Sequence, residues 1–178
     1  MKKLLLLAAL MFSFGLSAQR LEVGATTAAA IGIGYGTFYD NRPMVAWGKS
    51  FESVRRVRLD RTSMNFSSYN DQNYFSMSTG IFLGQQWRKQ IADKFYFIHG
   101  PEIGASYYAG TNYQSSTLGT HYRMGGAYRV NEKFTISLEA PVSFEYSWSQ
   151  NANSEATSSS YFSLFGSSNL LSFTYALK

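Results

Sequence analysis

The chain has no cysteine. An exported protein built this way has no disulfide staples, so packing, a closed sheet or the membrane must hold it together. Its two histidines, His99 and His121, stand apart, which leaves no Cys/His set with the spacing of a structural metal site, and no cofactor is expected. Charge is also scarce: Asp, Glu, Lys and Arg make up 15% of the 178 residues, against about 25% in ordinary soluble domains. That deficit implies that much of the surface does not meet water. Beyond the N-terminal segment no run is apolar enough to cross a bilayer as a helix, which needs about 20 residues.

The N-terminus reads as a cleavable secretory leader over 1–18: Lys2 and Lys3, the apolar run Leu4–Leu16, and the small pair Ser17-Ala18, with cleavage expected after Ala18. Residues 19–178 then form one exported domain. The formal charge of +5 does not point to nucleic acid, because two of the positive charges lie in the leader and the rest are interspersed with acids. Gly32-x-Gly34-x-Gly36 precedes no helical pattern and is not a dinucleotide fingerprint.

What the chain does have is alternation. In Lys133–Ser149 the residues Phe134, Ile136, Leu138, Ala140, Val142, Phe144, Tyr146 and Trp148 share one side. Thr135, Ser137, Glu139, Pro141, Ser143, Glu145 and Ser147 share the other. Only an extended strand separates two such sets. The run exceeds the 5–6 residues usual for a globular strand and suffices to cross a hydrocarbon layer at a tilt, which takes roughly 9–11. Pro141 cannot donate to a ladder, so it predicts a local bulge or missing hydrogen bond.

The same pattern recurs from Leu21, from Met44, from Val54 with a bulge expected near Arg61–Ser63, from Tyr74, from Lys94, from Thr117 and in the closing strand. Polar or turn-forming stretches separate these strands. The longer ones are Tyr39–Pro43, Ser67–Asn73, Gly110–Ser116 and Gln150–Ser159; the short ones lie near Phe51, Ile91 and Asn131. About eight spanning strands, joined alternately by long and short connections, predict an all-β, antiparallel, up-and-down transmembrane barrel with its long loops outside.

Bulk decides which face looks inward. The apolar face carries Phe, Tyr, Trp, Ile and Leu and would overfill an interior of about eight strands, while the small polar face has too few charges for a soluble surface. The apolar face is therefore outward. The inward set then includes Glu22, Arg56, Arg58, Asp60, Arg88, Glu102, His121, Arg123, Arg129, Glu139 and Glu145, which should pair because a narrow lumen holds no bulk water. Outward Trp47, Trp87, Tyr146, Trp148 and Tyr175 lie near strand ends, where interfacial girdles form.

The segment Phe75–Tyr108 resembles the central hairpin of small outer-membrane β-barrel proteins of Bacteroidota-type bacteria, a porin-family-like eight-stranded group. The resemblance rests on a Gly-aromatic-basic strand end (Gly84, Trp87, Arg88, Lys89), an Asp93-Lys94 turn and a Tyr/Phe-rich strand with Gly100, Pro101 and Glu102. The hairpin Tyr122–Tyr146 and the closing LSFTYALK are similar too. The resemblance implies an outer-membrane location and handling by the barrel assembly machinery, and little about activity.

These readings combine into an expectation of a monomeric, non-enzymatic barrel with a filled, salt-bridged lumen, set among outer-membrane lipids. Its structural, adhesion or envelope role would run through its loops, with a surface ligand possible at 67–73 and 150–159. The alternatives are a narrow channel for small solutes and a lipid-modifying enzyme centred on His121 with Glu139 on the adjacent strand.

Overall fold

A computed structural model describes residues 20–31, 36–69, 72–151, 154–164 and 169–177, so the expected leader lies outside the described residues. The strands are β1 (Arg20–Ile31), β2 (Gly36–Gly48), β3 (Ser53–Tyr69), β4 (Gln72–Ala92), β5 (Phe95–Gly110), β6 (Tyr113–Arg129), β7 (Phe134–Asn151), β8 (Thr157–Leu164) and β9 (Leu170–Ala176). Each pairs antiparallel with its neighbour from β1 to β7. The upper part of β7 pairs with β8, its lower part pairs with β9, and β9 returns to β1. β8 and β9 are thus two pieces of one stave, and eight staves close into a ring toward the turn end; farther up, among the described residues, the β2–β3 ladder stops at Met44 and Arg58 and β8 pairs only with β7.

The two-residue period sets the facing throughout. Along β5, Tyr96, Ile98, Gly100 and Glu102 are buried, while Phe95, Phe97, Pro101 and Ile103 are exposed. Along β7, Thr135, Ser137, Glu139, Pro141 and Ser143 are buried and Leu138 and Phe144 are exposed. The small inward residues let neighbouring strands approach. A Cβ on Gly100 would overlap the Gln85 carbonyl oxygen, a contact that only glycine avoids.

The turns at one end follow from local chemistry. Lys94 takes a φ of 60° in the Asp93-Lys94 turn, and Asn131 Oδ1 accepts the backbone N–H groups of Lys133 (2.9 Å) and Phe134 (2.8 Å). The expected bulge near Arg61–Ser63 is present as a register shift between Asp60 and Ser63.

Three expected long loops are instead mostly strand. β3 continues to Tyr69 and β4 starts at Gln72, β5 and β6 leave only Thr111 and Asn112 between them, and β8 begins at Thr157. Strands of up to 21 residues outreach any membrane crossing, and above the apolar band both faces meet water. Such a ladder needs no hydrophobic alternation, so nothing in its composition separates it from a loop.

Asp40-Asn41-Arg42-Pro43 also lies within β2, not in a loop. Its turn chemistry is used as a bulge: the register shifts opposite Thr27/Ala28, passing over Asp40, and Pro43 sits just beyond the last residue of β2 paired to β3. The ladder between β6 and β7 passes Pro141 with no shift. The break lies on the other side, where β7 changes partner from β9 (Glu139 with Leu170) to β8 (Val142 with Leu164). A residue without an N–H therefore sits where the stave is already interrupted.

Candidate functional site: the filled lumen

The inward side chains form layers. At the turn end, Phe51 folds up from the Lys49–Glu52 turn into the mouth and packs edge-on to Tyr96, with ring centroids 4.8 Å apart, beside Ile98 and Ala127. The guanidinium carbons of Arg20, Arg88 and Arg129 lie 4.9, 4.5 and 4.7 Å from its ring centroid. The ring thus supplies apolar volume to the stopper and a π-face to cations held out of bulk water.

Above it, Arg88 donates both terminal nitrogens to Glu22, at 2.8 and 2.7 Å, and Arg20 Nε donates to the same carboxylate at 2.6 Å. Arg88 Nε donates to Gln86 Oε1 (2.9 Å), whose amide donates to Glu139 (3.2 Å). Arg56 also reaches Glu139, at 2.8 Å. Arg56 is on β3 and Glu139 on β7, four staves apart in a ring of eight, so this bond runs straight across the barrel.

Glu102 is the hub of the middle layer. It accepts from Arg123 Nε at 2.6 Å and Arg58 Nη2 at 3.1 Å, with Arg56 Nε 3.4 Å away. It is 2% exposed, and Arg58 and Arg123 are 1% exposed. Arg58 also lies 4.6 Å over Phe82, a buried aromatic on the inward side of β4. Planar guanidinium forks suit such a hub because each can serve two acceptors in fixed directions. Higher up, Asp60 pairs with Arg42 at 2.5 Å and with Arg58 at 3.4 Å.

His121 ends the charged zone. Arg123 Nη2 lies 3.2 Å from its Nδ1, and Glu145 lies 3.2 Å from its Nε2. Arginine has no acceptor, so Nδ1 accepts and Nε2–H donates to Glu145. The acids facing His121 are Glu145 and, 3.8 Å from Nδ1, Glu102; Glu139, its partner under the enzyme alternative, is held by Arg56 and Gln86 instead. With Nδ1 occupied and the ring inside the barrel, His121 has no face toward lipid.

The structure brings together all eleven inward residues named from the sequence, ten of them through contacts between an acid and a base. The exception, Arg129, sits against Phe51 and donates to the Glu132 carbonyl oxygen at 3.4 Å, with no ion pair among the described contacts. Sequence reading missed Arg20, Arg42 and Phe51. Extending the alternation of Met44 and Ala46 back two residues would have found Arg42, whereas Phe51 leaves no periodic signal because it belongs to a turn.

Of the girdle candidates, Trp87 and Tyr175 are exposed toward the turn end and Tyr146 and Trp148 toward the other, with Trp47 half-buried. Outward His99 hydrogen-bonds Tyr122 through Nδ1 at 2.7 Å and lies beside Trp87, extending the aromatic patch.

No protein-family model matches this chain, and no curated protein matches it in sequence. Among solved structures it is similar to a major outer membrane protein of Thermus thermophilus, at 10% identity and a TM-score of 0.48, over 89% of this chain and 98% of that one. It is also similar to Neisserial surface protein A, at 11% identity and a TM-score of 0.42, over 89% and 96%. A third is Ail, the attachment invasion locus protein of Yersinia pestis, in complex with sucrose octasulfate, at 12% identity and a TM-score of 0.39, over 89% and 97%. Likenesses this distant carry no role to this chain; the barrel is established by its own closed strand pairing.

Proposed function

We propose that this chain is a small, monomeric, integral outer-membrane barrel with a closed lumen, serving a structural or adhesive envelope role through its outer rim. The observation that carries this reading is the inversion of the usual protein: buried charge inside, and exposed Val45, Leu59, Leu83, Phe97, Ile103, Leu118, Leu138, Phe144 and Phe173 around the outside. An apolar surface continuous over the staves is untenable in water, and a closed ring is one of only two architectures that satisfy the backbone in lipid. Exported chains of this kind reach the outer membrane through the barrel assembly machinery, and the likeness of Phe75–Tyr108 to Bacteroidota-type barrels agrees with that location.

The turn end, which also carries Arg20 and Ala176, faces the periplasm in this reading, and the long hairpins face outward. The cross-lumen bonds from Arg56 to Glu139 and from Arg88 to Glu22 support a closed interior. The inward placement of His121 supports a non-enzymatic role, and the scattered outward bases offer no nucleic-acid track. The test is planar-bilayer recording of purified protein together with proteolysis of intact cells. Absence of stable conductance and cleavage within Gln150–Ser159 are expected; a stable conductance overturns the closed lumen, and protection of that segment overturns the orientation.

A further inference from the structure

The rim end of the lumen is chemically unlike its middle. Above the ion pairs comes a hydroxyl layer, in which Ser63 and Ser78 lie 3.1 Å apart and Thr117 and Ser147 2.8 Å apart. Above that, a cavity of about 320 Å³ opens between the ends of β3, β4, β5 and β6. Tyr74, Tyr108, Tyr113, Asn65, Asn112 and Thr111 line it, and none of its lining residues among the described ones is charged. This is within the size range of small-ligand sites, roughly 300–1,000 Å³.

Tyr74, Tyr108 and Tyr113 are 42, 39 and 41% exposed. They share the inward side of their strands with Ser76, Ser106 and Ser115, so neither lipid nor packed core covers them. Tyr108 and Tyr113 have ring centroids 5.7 Å apart, tilted by 51°, and so present two differently aimed aromatic faces. The wall is fixed in place, because Thr111 Oγ1 accepts the Phe75 N–H at 2.8 Å and ties the β5–β6 turn to β4. A second cup of about 300 Å³ shares Gly110–Tyr113 and adds Gln114 and Gln150, joined by a 3.2 Å hydrogen bond.

The ligand follows from this chemistry. With no countercharge among the described residues of either cup, an ionic ligand would give up hydration for nothing. A pyranose ring instead presents a C–H face that stacks on tyrosine and hydroxyls that both donate and accept, matching amide and hydroxyl side chains. We propose that the two cups at the rim form a binding site for a short neutral oligosaccharide laid across the Thr111-Asn112 turn, with one sugar unit in each cup. The inference rests on the proposed orientation only for which compartment the site faces.

The experiment is titration of purified, folded protein in detergent with maltose, cellobiose, lactose and N,N′-diacetylchitobiose, and with a sulfated disaccharide as the charged control. Saturable binding of at least one neutral disaccharide is expected, unchanged between low salt and 0.5 M NaCl, roughly tenfold weaker or worse in Tyr113→Ala and Tyr108→Ala, and retained in Tyr108→Phe, which keeps the ring. Heat-modifiable migration of each variant verifies the fold independently. Lack of saturable binding by every neutral disaccharide, equal binding by the alanine variants, or preference for the sulfated control that fades with salt would each overturn the proposal. Binding by purified protein but not by intact cells would leave the site standing and overturn the orientation.

Discussion

Replacing Glu102 by glutamine removes one charge from the centre of the lumen at almost constant volume. Glu102 answers Arg123 at 2.6 Å, Arg58 at 3.1 Å and Arg56 at 3.4 Å. At an effective dielectric of about 20, each contact near 4 Å between charge centres contributes about 4 kcal/mol of attraction, against several kcal/mol for keeping the carboxylate out of water. Removing one partner of a buried pair commonly costs about 3–5 kcal/mol. Here three guanidiniums lose the same acceptor, leaving Glu139 to serve Arg56 and the partly exposed Asp60 to serve Arg58, so Glu102→Gln belongs at the upper end of that range. The assay is urea unfolding of the refolded protein, read by tryptophan fluorescence and by heat-modifiable mobility, with the m-value checked for constancy. Glu145→Gln is the internal reference: its side chain is 34% exposed with one 3.2 Å contact to His121, and should cost under about 1 kcal/mol. Equal costs for the two variants would refute the idea that Glu102 organises the lumen.

Other consequences follow from the same geometry. Phe51→Ala should lose about 3–5 kcal/mol in urea titration, since it removes buried ring volume and the surface facing three guanidiniums, whereas Phe51→Leu should lose distinctly less. Gly100→Ala should fail to refold or lose more than about 3 kcal/mol, because its methyl group meets the Gln85 carbonyl. Gly126→Ala, with nothing within 4 Å, should be neutral within about 1 kcal/mol, and refolding yield distinguishes the two. Ile103→Arg, outward at mid-stave, should cost about 2–4 kcal/mol in lipid vesicles, and Ile91→Arg, beside the Asp93-Lys94 turn, about 0–1; both residues are exposed, so equal small costs would argue against a membrane around the barrel.

Facing was legible in the chain because a strand turns each successive side chain through half a revolution. Glu102, Arg123 and Glu139 could therefore be assigned to the lumen without knowing what they touch. The bulge near Asp60 showed as a break in that rhythm. The outer hairpins were not legible, because strands with water on both sides need no alternation, and Ser67–Asn73 reads the same as ladder or loop. Phe51 was hidden for a related reason: its role depends on the direction in which a turn folds.

Local pattern thus set the strands, their inward and outward faces and the count of about eight staves, since each depends only on neighbours along the chain. Which acid meets which arginine was settled by closure of the ring. Arg56 and Glu139 are separated by 83 residues and Glu22 and Arg88 by 66, and they meet because stave order and register carry them across one narrow lumen. The same closure gave His121 to Glu145, placed the Pro141 break opposite the junction of β8 and β9, and gathered Tyr74, Tyr108 and Tyr113 around one mouth. Pairing at such distances along the chain depends on three-dimensional register, which no two-residue period encodes.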